Sequence, residues 1–479
     1  MEVIHFSTEC YPVAKVGGLA DVVGALPKYL LKQDVSAAVV MPKYGNKWIR
    51  NHAFETVFED TTPLGDWKFE FRIQRQKGDI LGFPLFVVDI PKRFDRPGIY
   101  ADPHTGSGYA DDFERFASFQ IAILDWINQM QHKPDLLHCH DHHTGLIPFM
   151  LTQSYRYRDI KHLPTVLTVH NGEYHGIFDR KNVYQLPEFD MQHIGLADWD
   201  GKLNCLAAGL KTCWQITTVS ESYMDELAHN SNGLEWLFRN EKQKSRGIIN
   251  GIDTTVWDPQ TDPMIAHHFS KEDVTSGKQK NKEVLCEQFS LDPNRPTISY
   301  IGRLAYEKGA DLLPDLFREY LEDSQSVNFI VLGTGSRELH REFSNMNERF
   351  VGYFDATLDF NEPLAHQIYA GSDFMIMPSR VEPCGLNQMY SMRYGTIPIV
   401  RNIGGLKDTV IDIGEPNGYG LTFYDFLHDA ASEALQRALD FYQDQKEIKN
   451  TRRRIMSLDF SWKASAKEYI KMYNKLTEK

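Results

Sequence analysis

The chain has 479 residues, 42% of them hydrophobic and 12% aromatic, which suffices for two or three domains with substantial cores. A formal charge of -13 argues against nucleic acid and anionic membranes as partners, so any anionic ligand must be met by a local cluster of cations. The six cysteines (Cys10, Cys139, Cys205, Cys213, Cys286, Cys384) form no C-x-x-C pair, no run approaches bilayer length, and Val3 to Phe6 is too short for a signal sequence; a cytoplasmic protein is expected.

In chain order, Val3-Ile4-His5-Phe6 reads as a short strand. It runs at once into the glycine-rich stretch Lys15-Val16-Gly17-Gly18-Leu19-Ala20-Asp21-Val22, which reads as a strand-to-helix turn. A Gly-Gly pair alone means no more than a tight turn packing a helix on a sheet, but Lys15 adds a point charge suited to phosphate. Further strands are predicted at Ala37 to Met41, Leu85 to Ile90, Asp135 to His138, Thr165 to Val169 and Ile216 to Val219, with a helix from Asp112 to Met130. A polar segment from about Asp258 to Lys282 interrupts the alternation. It restarts with strands at Thr297 to Ile301, Asn328 to Leu332 and Phe374 to Met377. Strands alternating with helices call for parallel sheets, and the interruption divides them into two doubly wound α/β domains joined near Asn250 to Pro259. Near the end, Trp462, Ala466, Tyr469, Ile470 and Tyr473 recur at helical spacing as one apolar stripe.

Two stretches point to chemistry. Pro378-Ser379-Arg380-Val381-Glu382-Pro383-Cys384-Gly385-Leu386-Asn387-Gln388 lies where a strand runs out into a helix, the edge of an open α/β sheet at which ligands bind. Its glycine and the backbone N–H groups opening the helix suit a close anionic ligand, with Glu382 beside them; capping chemistry alone would also place Glu, Pro and Gly there. The run His138-Cys139-His140-Asp141-His142-His143 puts His138 and His140 on one strand face, yet no partner ligand is visible in the sequence, so no metal site is expected.

Taken together, the runs at 15 to 22 and 382 to 388 resemble the bacterial glycogen synthase and plant starch synthase family. The resemblance continues in order through His138 to Asp141, Thr168-Val169-His170-Asn171, Thr218-Val219-Ser220, Ile249-Asn250-Gly251-Ile252-Asp253 and Gly302-Arg303-Leu304 with Glu307-Lys308-Gly309. It closes with Gly404 to Val410 and Phe460-Ser461-Trp462. It implies a GT-B fold: two Rossmann-like domains facing across a cleft, with residues 1–250 on the acceptor side and carrying the Lys15 loop, residues 251–457 on the nucleotide-sugar side, and a helix at 458–479 crossing back onto the first domain. The implied reaction moves glucose, with retention, from ADP-glucose to the non-reducing end of an α-1,4-glucan such as glycogen. UDP-glucose is the alternative donor, and a non-catalytic glucan-binding regulator is the alternative class. No cofactor, metal, nucleic acid or membrane is implied.

Carried over residue by residue, Glu382 resembles the essential carboxylate beside the glucosyl ring, His170 the histidine on the donor glucose, and Asp141 the acidic residue near the acceptor. The donor would be held by Lys15, Gly17, Gly18, Asn250, Arg303, Lys308, Cys384, Gly385, Leu386 and Asn387, with Phe360 stacking on the base and Tyr353 its competitor. Glu9, Asp21 and Asn171 fall on the sugar or acceptor side. No second acid stands out for a glycosidase-type double displacement, which favours a front-face route in which the leaving phosphate helps deprotonate the acceptor. Three departures stand out: Tyr390 where many related transferases have a second Glu, Asn387 where Thr is usual, and His142 where most relatives carry Trp.

Overall fold

The computed structural model describes residues 1–323 and 325–478. The chain divides into two compact units: residues 1–219, 224–248 and 462–479 form the first, residues 220–223 and 249–461 the second. Asn250 thus belongs to the second unit rather than to a first domain ending at 250, and the terminal helix, Trp462–Thr477, begins four residues later than the expected 458 boundary.

The first unit is built on a nine-stranded sheet. From one edge its strands are Ser245–Gly247, Gln215–Thr218, Thr165–Val169, Leu136–His140, Glu2–Phe6, Ser36–Pro42 and Leu85–Asp89, all parallel. An antiparallel hairpin, Trp67–Gln76 and Phe54–Leu64, extends the other edge. The central strands are buried nearly end to end, as strands covered on both faces must be. Chain order reverses between Glu2–Phe6 and Leu136–His140, whose carboxyl ends therefore mark the switch point of this unit. One face is covered by the helix Gly18–Leu31 packed on Trp462–Thr477. Val22, Leu26, Tyr29 and Leu30 from the first meet Trp462, Ala466, Tyr469, Met472 and Tyr473 from the second in one apolar cluster, with Ile470 partly buried beside it.

The second unit has a six-stranded, all-parallel sheet in the order Phe354–Thr357, Asn328–Leu332, Thr297–Ile301, Phe374–Met377, Ile397–Arg401, Leu421–Phe423. Its switch point falls between Thr297–Ile301 and Phe374–Met377. The expected polar interruption from Asp258 to Lys282 is a correction: its last third opens a 15-residue helix, Val274–Gln288. Two lysines sit on that helix's inner face. Lys278 Nζ reaches the carbonyls of Tyr369, Ala370 and Tyr394, and Lys282 pairs with the buried Asp373 at 2.7 Å, so the buried face looks polar in sequence.

Among the described residues no helix is long and apolar enough to cross a membrane. All six cysteines are buried and unpaired.

Candidate active site

In the second unit the two loops at the switch point lie against each other. The carbonyl of Glu307 accepts from the amides of Arg380 (2.9 Å) and Val381 (3.2 Å). Gly309 makes this approach possible. Its φ is +66°, and a Cβ there would lie 1.9 Å from the carbonyl oxygen of Pro378. Docked in this way, Lys308 places Nζ 2.7 Å and 2.8 Å from the two oxygens of Glu382. Ser379 Oγ donates to the same carboxylate at 2.9 Å, and Glu382 is 5% exposed. A buried carboxylate is tolerated when paired and hydrogen-bonded, as this one is. The main-chain carbonyl of Glu382 accepts from Gly405 N at 3.0 Å, tying the turn to the helix Gly404–Thr409.

Past Glu382 the turn closes at Gly385, in the left-handed region at φ +71°, and after Leu386 the helix Asn387–Arg393 starts. The Asn387 side chain is committed elsewhere: its Nδ2 donates to Ile301 O at 2.6 Å, so only its backbone faces the turn's opening. Cys384 is buried, its thiol pushed up to about 12 chiefly by desolvation, and it takes a hydrogen bond from the backbone of Asn250. Arg303 lies away from this knot, its side chain 70% exposed and paired with Glu307 at 2.6 Å. Tyr390, in place of a second Glu, stacks on Trp257 at 3.9 Å between ring centroids; that position serves packing.

Phe360 is 81% exposed on the loop after Phe354–Thr357, at the carboxyl edge of the sheet. Tyr353 precedes the same strand, at the opposite edge, and lies under the Arg295 guanidinium at 4.1 Å. Of these two aromatics, Phe360 is therefore the one at the ligand-binding edge of this sheet.

In the first unit, Glu9 Oε2 accepts from the amides of Val16 (2.5 Å) and Gly17 (2.9 Å), while its Oε1 accepts from Tyr100 Oη at 2.7 Å. The Gly17 amide, expected to face phosphate, is thus engaged by a carboxylate. Lys15 Nζ pairs with both oxygens of Asp21, at 2.7 and 2.9 Å. Gly17 and Gly18 are exposed, and a Cβ at either would meet nothing within 4 Å, so the fold itself requires glycine at neither.

Across the switch point, Asp141 has φ +57°, rare for a residue with a side chain. That turn lets Oδ1 accept from His170 N at 2.7 Å, with Asn171's backbone as a further donor. Burial pushes the Asp141 carboxyl up to about 7; the two amides pull it down and the charge of Glu9 adds to the rise. Asn171 Oδ1 accepts from Glu173 N at 2.9 Å, an Asx-type turn.

The fold brings His5 beside His138 and His140: ring nitrogens of the three lie within 4.8 Å of one another, all buried. Both nitrogens of His138 already have partners, Tyr473 Oη at 2.7 Å and Thr168 Oγ1 at 2.6 Å. Ser379, Tyr100 and His5 are the members of these constellations that sequence reasoning passed over. Ser379 stood inside the quoted 378–388 run, and its hydroxyl three positions before Glu382 was the available signal.

Residues 2–240 match the family described as starch synthase catalytic domain, and residues 281–454 match glycosyl transferases group 1. A glycogen synthase of Flavobacterium johnsoniae is 48% identical over 99% of both chains, and one of Geobacillus thermodenitrificans is 37% identical over 100% of this chain and 98% of that one. Among solved structures, the catalytic domain of starch synthase IV from Arabidopsis thaliana, bound to ADP and acarbose, superposes with a TM-score of 0.85. It is 30% identical and covers 100% of this chain and 99% of that chain. A sucrose-phosphate synthase from Thermosynechococcus elongatus, 17% identical at a TM-score of 0.60, shares the GT-B fold. Identity of 48% along the whole length, with both family matches in order, shows that the chain belongs to the glycogen and starch synthase family of glycosyltransferases.

Proposed function

We propose that this protein transfers glucose from ADP-glucose to the non-reducing end of an α-1,4-glucan, with retention at the anomeric carbon. The observation that carries this is the Lys308–Glu382 pair at the switch point of the second unit, with the exposed Arg303 earlier on the same loop as Lys308 and the Asn387–Arg393 helix opening after Glu382. Breaking the glycosyl–phosphate bond places charge on the leaving diphosphate and on the anomeric carbon; a fixed cation and a fixed carboxylate answer both. Lys308 and Arg303 take the diphosphate. Glu382 accepts from a sugar hydroxyl and balances the cationic carbon.

Phe360, exposed at the sheet's ligand edge, offers a face to the base. The backbone of Gly385 to Asn387 serves the phosphates, with Cys384 and Asn250 as buttress. Lys15 and the loop at Gly17 and Gly18, where no side chain crowds the glycines, are assigned to the donor, a role that explains glycine where the fold does not. His170 is assigned to the donor glucose, and Asp141, Asn171, Glu9 and Asp21 to the sugar and acceptor side. ADP in the starch synthase IV structure supports the adenine nucleotide over the uridine one.

Glycogen offered with ADP-glucose or UDP-glucose in separate reactions tests this: faster release of ADP is expected. Faster release of UDP would reassign the donor, and glucan binding with neither donor consumed would favour a regulator.

Arg303→Ala and Lys308→Ala should each lower kcat/KM for the nucleotide sugar by about ten- to a hundredfold, the loss of one charge-assisted hydrogen bond. Lys308→Ala should be the worse, because it also strips Glu382 of its counter-ion. Glucan affinity, measured by affinity electrophoresis, should stay within about twofold for either, since neither cation is assigned to the acceptor.

Asp141 also sets a pH dependence. Its carboxyl, raised to about 7, is neutral below that pH and ionised above it. If the ionised form accepts from a sugar hydroxyl, kcat/KM rises through a limb near pH 7. That limb should vanish in Asp141→Asn, whose side chain does not titrate.

A further inference from the structure

His170, His140 and His5 form a hydrogen-bonded row. His140 Nδ1 is 2.9 Å from His170 Nε2, and His140 Nε2 is 3.1 Å from His5 Nδ1. The row arises from strand register: His5 lies opposite His138 on the neighbouring strand, which brings it beside the ring of His140 two residues on, and His140 pairs in register with Thr168, two residues before His170. His5 and His140 are fully buried, whereas His170 is partly exposed. Desolvation holds all three rings below the usual histidine range, His5 and His170 at about 3, so each carries one proton.

Three neutral rings joined by two hydrogen bonds allow only two arrangements of their three protons. In one, His5 Nδ1–H donates to His140 Nε2, His140 Nδ1–H donates to His170 Nε2, and the third proton sits on His170 Nδ1. In the other, every bond runs backwards and the third proton sits on His5 Nε2. His5 Nε2 is buried and, among the described residues, has no hydrogen-bond partner. A proton there would be an unsatisfied buried N–H, which costs more than a bare lone pair in the same place. The first arrangement wins.

We propose that His5 and His140 are positioning residues that lock His170 as its Nδ1–H tautomer, so that the ring nitrogen outside the row presents a hydrogen-bond donor to an oxygen of the glucosyl donor. This rests on the assignment of His170 to the donor sugar. A donor at that point selects for a sugar oxygen and rejects a group that can only donate, which makes the row a specificity device built from two side chains that touch no substrate.

The test uses the full chain with ¹⁵N-labelled histidine. Long-range ¹H–¹⁵N spectra, with the His170 signals identified by their loss in His170→Ala, should show a pyrrole-type Nδ1 and a pyridine-type Nε2. His140→Leu should release that tautomer and lower kcat/KM for the nucleotide sugar about tenfold, the equivalent of one neutral hydrogen bond. His140→Asn, whose amide N–H can stand in for Nδ1–H, should restore both readouts. Nε2–H on His170 in the unmodified protein would overturn the relay, as would a stoichiometric transition metal bound through His5 and His140, since it would occupy the nitrogens the relay needs. Full activity in His170→Ala would instead overturn the sugar contact on which the proposal rests, even with the tautomer as expected.

Discussion

Glu382→Ala is expected to lower turnover by about 100-fold or more, the scale of removing one preorganised electrostatic contact, while the protein stays folded. The carboxylate holds no strand or helix together: its side-chain partners are Lys308 and Ser379, and its structural tie, the carbonyl that accepts from Gly405 N, belongs to the backbone and survives the substitution. Lys308, about a quarter exposed, can turn to water once its partner is gone, so the substitution leaves no buried charge unpaired. Circular dichroism and thermal melting should match the parent protein. A folded Glu382→Ala that turns over at near the parent rate would remove Glu382 from the chemistry. Glu382→Gln, which keeps shape but not charge, should sit close to the alanine variant if charge balance at the anomeric carbon is what counts.

Deleting the chain from Phe460 onward should abolish activity although none of the proposed catalytic residues is removed. The lost helix buries Trp462, Ala466, Tyr469, Met472 and Tyr473 against the first unit, and Tyr473 Oη bonds to His138. Truncating one buried aromatic typically costs about 3–5 kcal/mol. Removing three together exhausts the roughly 5–15 kcal/mol that a domain has to spare. The first unit should therefore fail to fold cooperatively, seen as insoluble protein or as loss of the cooperative melt. The deletion also removes the carbonyl of Phe460, which accepts from Ile252 N in the second unit. Tyr473→Phe is the graded control: it keeps the ring, loses the bond to His138 and should cost about 1 kcal/mol. A truncated protein that stays soluble and turns over like the full chain would contradict the role given to this helix.

Strands at Thr165–Val169, Thr297–Ile301, Asn328–Leu332 and Phe374–Met377 were legible to the residue, because continuous apolar runs bounded by polar turns are what a buried parallel strand demands. The hairpin of Phe54–Leu64 and Trp67–Gln76 was not, since it sits at the sheet edge, carries charge along its length and buries few side chains. The Val274–Gln288 helix was hidden by its inward lysines. The same division holds in the site. Glu382, Lys308 and Arg303 stand out in sequence because each follows a strand within a recognisable run. That Lys308 grips Glu382, 74 residues away, and that Arg303 does not, depends on how two loops dock across the sheet edge. The histidine row is further from reach: it needs the register of three strands, which no spacing within one segment reveals.

The central claim is glucosyl transfer with retention, and product analysis tests it directly. The purified chain should be incubated with ADP-glucose and a short maltooligosaccharide, and the product followed by mass spectrometry and by the anomeric proton signal of the new linkage. Stepwise growth by one hexose, each joined α-1,4, with one ADP released per step, is the expected result. A β-linked product, or ADP-glucose consumed without growth of the glucan, would contradict it.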